Sequence, residues 1–166
     1  MVLRLAGVAL VALACLCGTA EADSPLPAPT DWRHDLQGVS VMADIAANRV
    51  TIRPVDGPAW QIDGWQPGWA VHPAPDGRAV MLSNPGGNLL AGAAPDLTVL
   101  RIMEAPGVLR AVVPLSSLAN PTRLQRTASQ VVWISGGYHW QDDGWAFTTP
   151  DGQNWHLTAE GGLSRR

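Results

Sequence analysis

The chain has 166 residues, with 11 arginines and no lysine against 14 acidic residues, giving a formal net charge of −3. This mild acidity with scattered arginines excludes a nucleic-acid partner, which would show a basic face. The missing lysine excludes Schiff-base chemistry and a phosphate-gripping P-loop.

At the start, Arg4 precedes an unbroken run of Leu, Ala, Val, Gly and Cys from Leu5 to Leu16, and Ala20-Glu21-Ala22 follows. A charged head, an apolar segment of about a dozen residues and an A-x-A exit make residues 1–22 a secretory signal peptide, cut after Ala22. The segment falls short of the roughly 20 apolar residues a membrane span needs, so the mature chain is expected to have no membrane span. Cys15 and Cys17 both lie inside it, leaving the mature chain without cysteine. The rival reading is a lipoprotein anchored through Cys15. However, Ala12-Leu13-Ala14 puts the large residue second of the three, where a lipobox wants it first. Either way the chain is exported, periplasmic or secreted. About 144 residues then remain, enough for one domain.

Residues 23–37 open with three prolines and read as an extended leader. A single β-rich domain is expected over residues 38–163. Val39 to Ile45 and Val50 to Arg53 alternate as two strands of a hairpin. Ala59 to Asp63, Trp69 to His72 and Ala79 to Ser83 are further short strands. Pro75-Asp76-Gly77 forms a tight turn between the last two, where proline presets φ, aspartate bonds nearby amides and glycine takes positive φ. Residues 84 to 96 read as a long loop. Thr98 to Met103 and Val108 to Val113 flank a Pro-Gly turn, and residues 119 to 129 hold a turn or two of helix at most. Gln130 to Ser135 is a strand that Gly136-Gly137 ends. Trp145 to Thr149 and Asn154 to Thr158 flank Pro150-Asp151-Gly152, and Gly161-Gly162 closes the domain. With 17 Gly and 14 Pro interrupting every helical window, the fold class is all-β, about nine short antiparallel strands in hairpin repeats.

Two segments echo each other. Trp60-Gln61-Ile62-Asp63-Gly64-Trp65 aligns with Trp140-Gln141-Asp142-Asp143-Gly144-Trp145 at five of six positions, and Pro75-Asp76-Gly77 with Pro150-Asp151-Gly152. The first copy carries an extra Gln66-Pro67-Gly68-Trp69. Spaced self-similarity is the mark of a repeat architecture. His72-Pro73-Ala74-Pro75-Asp76-Gly77-Arg78 is similar to the hairpin of WD40-like propellers. Thr148-Thr149-Pro150-Asp151-Gly152-Gln153-Asn154-Trp155 resembles the Asp-box of sialidase-like propellers, one residue short between its Gly and its Trp. The resemblance implies propeller-like blades. At about 40 residues each, four of them exceed the mature chain, so a partial or small propeller is expected, with a β-sandwich or barrel as the alternative.

Eight tryptophans stand against one Tyr and one Phe. Trp60, Trp133 and Trp155 sit in strand-like alternation and read as core. Trp65, Trp69, Trp140 and Trp145 fall in or beside loops, where a flat face is open to a sugar or a partner protein, and these four are the candidate ligand-binding residues. His139, His156 and Asp142 on facing strands are a conceivable metal set, against the simpler reading of dispersed surface histidines. Asp63, Asp142 and Asp143 invite a glycosidase reading, although their glycine neighbours suit turns. Ser135-Gly136-Gly137 lacks nucleophile-elbow spacing. No catalytic set, metal or cofactor is therefore assigned. The expected function is a non-catalytic binding domain for another protein in the periplasm, of inhibitor or immunity type in its most specialised form. The alternatives are a carbohydrate-binding module using the loop tryptophans and, below it, a glycoside hydrolase.

Overall fold

Period-two alternation builds the first sheet. Val39, Val41 and Ala43 on β2 (Val39–Asp44), Val50 and Ile52 on β3 (Arg49–Arg53), and Trp60 and Ile62 on β4 (Trp60–Asp63) are all buried, and the residues between them are less so. In the computed structural model, which describes residues 29–36, 38–86, 97–120, 124–126 and 131–166, these strands follow β1 (Trp32–Leu36) in the order β1-β2-β3-β4. The second sheet is β5 (Ala70–Pro73), β6 (Ala79–Ser83), β7 (Thr98–Glu104) and β8 (Val108–Pro114). A 3-10 turn at Leu115–Ser117 and a two-stranded ribbon of β9 (Gln125–Arg126) and β10 (Val131–Val132) lead to the third. That sheet is β11 (Ser135–Gln141), β12 (Gly144–Thr148), β13 (Asn154–Thr158) and β14 (Leu163–Arg165). Each sheet is a four-stranded antiparallel meander in chain order, the blade-like unit expected, and the three do not close into a barrel.

The middle sheet shows how they stack. All five residues of β6 are buried, so its sequence cannot alternate. Val80 and Leu82 pack with Val41, Ile52 and Trp60 of the first sheet. Ala79 and Met81 point the other way, to Trp145, Phe147 and Leu157 of the third. Indole N–H groups tie the stack at specific points. Trp60 Nε1 donates to the Gly77 carbonyl at 2.9 Å, joining the first sheet to a turn of the second. Trp133, with no exposed surface, donates to the Asn84 carbonyl at 2.8 Å. A buried indole needs such a partner to offset its desolvation.

Several sequence expectations change. The first strand starts at Trp32, inside the stretch read as leader, because it pairs with β2 over Trp32↔Ala43 to Leu36↔Val39. Gly136-Gly137 does not end a strand; it lies within β11, where a register shift between Ser135 and His139 absorbs it. Gly161-Gly162 turns the chain into β14 rather than closing the domain. Fourteen strands, not nine, are present among the described residues. Residues 1–22, with Cys15 and Cys17, lie outside the described residues, as do 87–96 of the long loop.

The echo is not a blade repeat. Trp60 begins β4, the last strand of its sheet, whereas Trp140 nears the end of β11, the first strand of its own. The same offset recurs at the turns: Pro75-Asp76-Gly77 joins first and second strands, Pro150-Asp151-Gly152 second and third. The two copies are thus one strand out of phase. The extra Gln66-Pro67-Gly68-Trp69 accounts for the difference, since it lengthens a tight hairpin into the crossover between two sheets. What is shared is strand-turn-strand chemistry, not position in a blade.

Candidate functional site

Meander topology places alternate turns at one end of each sheet. At that end lie the β3–β4 connection, the β5–β6 and β7–β8 turns of the middle sheet, and the β11–β12 and β13–β14 turns of the third. Turn residues cannot bury well, so charge collects there. Between the second and third sheets these turns border a cleft of about 540 Å³. Asp76 and Arg78 come from the β5–β6 turn, Glu104 and Arg110 from the ends of β7 and β8, Asp143 from the β11–β12 turn and Glu160 from the β13–β14 turn. Trp140 supplies the aromatic wall. A second cleft, about 250 Å³, adjoins the first and shares Arg78 and Glu104 with it. Its lining is mostly apolar, with Pro54, Pro58, Ala59, Trp60, Ala105 and Pro106 beside Asp56.

The charges divide into engaged and free groups. Glu104 and Arg110 pair with each other. Asp76 Oδ1 accepts from the Arg78 backbone N–H at 2.9 Å and fixes the turn. The Arg78 guanidinium has no ion-pair partner among the described residues. Asp143 stands 3.5 Å from the buried Nε2 of His156, which also lies 3.1 Å from the Gln141 carbonyl. Because a carbonyl only accepts, Nε2 carries the proton there.

The four candidate tryptophans do not form one site. Trp65 and Trp69 lie in the β4–β5 crossover at the opposite end of the stack, and Trp140 and Trp145 at the cleft end of the third sheet. Trp65, only 3% exposed, donates its indole N–H to the Trp69 carbonyl at 3.1 Å, and Trp145, 2% exposed, packs edge-on to Trp140 at 4.9 Å. Both are core and offer no face to a ligand. Trp69 is half-buried, with the Arg101 guanidinium 4.9 Å above its ring. Only Trp140 of the four borders a cleft described above.

The sequence-based metal and glycosidase sets come apart as well. His139 pairs with Ala146 and Ala146 with His156, so β12 stands between the two histidines and separates their backbones by about 10 Å. Among the described residues no group of three or more His, Cys, Asp or Glu is placed to hold a metal. Asp63 is ion-paired with Arg49 at 2.7 Å in the first sheet, and Asp142 with Arg166 at 3.3 Å in the third. The middle sheet separates them, so they do not flank one cleft. The segment likened to an Asp-box locks its own turn instead: Thr149 Oγ1 donates to Asp151 Oδ1 at 2.6 Å and accepts from Trp155 Nε1 at 3.3 Å. The Thr149 hydroxyl holds the Asp151 carboxyl below its ordinary value.

Glu104, Arg110 and Glu160 were not singled out from sequence, and Arg78 only as the last residue of a hairpin motif. Their common signal is a charged residue beside each turn of one end, which becomes readable only once strand direction is known. Among the described residues no helix is long and apolar enough to cross a membrane. No family model, curated protein or solved structure matches the chain.

Proposed function

We propose that this chain is an exported, non-catalytic binding domain that recognises another protein in the periplasm through the end where the two clefts adjoin. The observation that carries this reading is the shared wall of Arg78 and Glu104 between an apolar cleft and a charged one. An extended segment crossing that wall would seat an apolar side chain against Pro54, Pro58 and Pro106, and a polar one beside Trp140. Interfaces draw their energy from such central aromatic and arginine anchors. Export rests on residues 1–22, and an inhibitor or immunity role is the specialised form of the same reading.

Capture from periplasmic extract by the wild-type chain, compared with Arg78→Glu and Trp140→Ala, tests it. A partner held by the wild type and lost by both variants supports the assignment. Equal capture by all three removes this end from the interaction.

A glycan is the second reading, favoured by the half-buried Trp140 on a cleft rich in carboxylates and arginines. Glycan titration followed by tryptophan fluorescence separates the two. A saturable change abolished by Trp140→Ala replaces the protein partner with a sugar.

A further inference from the structure

Three polar side chains meet where the second and third sheets face each other. His72 is on β5, Ser83 on β6 and Tyr138 on β11. His72 Nε2 and Ser83 Oγ are 2.9 Å apart, and the imidazole lies against the Tyr138 ring with centroids 4.5 Å apart. Tyr138 also packs on Phe147 of β12, with ring centroids 5.5 Å apart. Ser83 is buried, and the surrounding residues Met81, Leu100 and Phe147 are apolar.

We propose that this junction is an acid-sensitive latch: protonating His72 loosens the contact between the second and third sheets while the contact between the first and second holds. The physical reason is a partly buried cation with no counter-charge beside it. Ser83 on β6 and Tyr138 on β11 touch the imidazole and Met81 is its cross-strand neighbour, and Tyr138 is the one titratable group among these three. Burial pushes the Tyr138 phenol above its ordinary value, so it stays neutral and supplies no charge. No carboxylate among the described residues offsets burial at His72. Protonation leaves the ring with two N–H donors and a positive charge against an aromatic face and one serine. Phenol and imidazole then have to separate or admit water.

Burial lowers His72 from its ordinary value of 6.5 to about 4. A group depressed in the closed form stabilises that form fully above pH 6.5 and loses the contribution as pH falls toward 4. Between pH 7 and pH 5 the open form gains roughly 20-fold relative to the closed one, from the ratio of the two binding polynomials. Among the described residues the buried core of the first interface holds no such group: Val41, Ile52, Trp60, Val80 and Leu82 do not titrate.

Hydrogen exchange measured by mass spectrometry at pH 7 and pH 5, corrected for intrinsic rates, reads the two interfaces separately. The expected result is a roughly 20-fold loss of protection in β11 and β12 with β2 and β3 retained, and no such loss in His72→Gln, which does not titrate. The same loss in all three sheets, or an unchanged response in His72→Gln, overturns the proposal. Imidazole titration of the wild type by NMR keeps the test independent of that variant. A His72 midpoint below 5 supports the latch, and one near 6.5 overturns it. His156→Gln, at the fully buried histidine of the third sheet, is expected to keep the acid response.

Discussion

Gly161 provides the sharpest test of how the third sheet sits on the second. It lies in the β13–β14 turn at φ +93°, and a Cβ there would come within 2.4 Å of the Ala111 Cβ on β8. Gly161→Ala therefore carries two penalties. Left-handed backbone costs an alanine about 1–2 kcal/mol, and forcing a methyl into occupied space costs about 1–3 kcal/mol. Reduced freedom of the unfolded chain returns roughly 0.4–1 kcal/mol. The expected net loss is about 1–5 kcal/mol, read from urea denaturation midpoints at constant m. Ala111→Gly alone should cost about 1 kcal/mol as a glycine in a strand. In the double variant the clash is gone and only the backbone terms remain. The two changes should accordingly couple favourably by about 1–3 kcal/mol, well outside the roughly 0.3–0.5 kcal/mol within which independent sites add. Additive losses would mean that the turn does not rest on β8, and the stacking described above would be wrong.

Two further substitutions separate core from surface. Trp145→Ala removes a fully enclosed indole and is expected to cost about 3–5 kcal/mol, whereas Trp69→Ala, at a half-buried ring, should cost distinctly less; equal shifts in denaturation midpoint would contradict the burial of Trp145. Thr149→Val removes the hydroxyl shared by Asp151 and Trp155 and should cost about 1–3 kcal/mol. In the same variant the Asp151 carboxyl is expected to titrate closer to its ordinary value. Since a depressed carboxyl stabilises the fold above its unfolded pKa and loses that effect as pH falls, the wild type's advantage over Thr149→Val should shrink in acid. NMR titration together with denaturation at pH 7 and pH 3 checks both points.

Much of the local architecture is written in short-range chemistry. Val39-Ser40-Val41-Met42-Ala43 alternates because one face of β2 is fully buried and the other only partly. Pro75-Asp76-Gly77 and Pro150-Asp151-Gly152 turn the chain wherever they occur, since proline, aspartate and glycine each meet a backbone requirement of the turn itself. Such signals locate hairpins but not the sheet to which a hairpin belongs. The echo of Trp60 at Trp140 misled for this reason: identical strand-turn-strand chemistry serves an inter-sheet crossover in one copy and an in-sheet hairpin in the other. β1, β14 and the glycine-bearing β11 were missed because edge pairing and a register shift, not apolar alternation, make them strands.

The candidate site was legible only in fragments. Trp140 stood out by residue type, but Trp65 and Trp145 carry the same signal and are enclosed by neighbours distant in sequence. Arg78 and Glu104 belong to different turns, and nothing local says that they share a wall with Trp60 on one side and Trp140 on the other. By itself the sequence determined an all-β chain, the places where it turns, and its acidic, lysine-free chemistry, because each follows from interactions within a few residues. Tertiary structure alone decided which tryptophans are core, that the two clefts adjoin, and that His72 meets Tyr138. Those facts depend on how three meanders stack, with β6 buried on both faces between them.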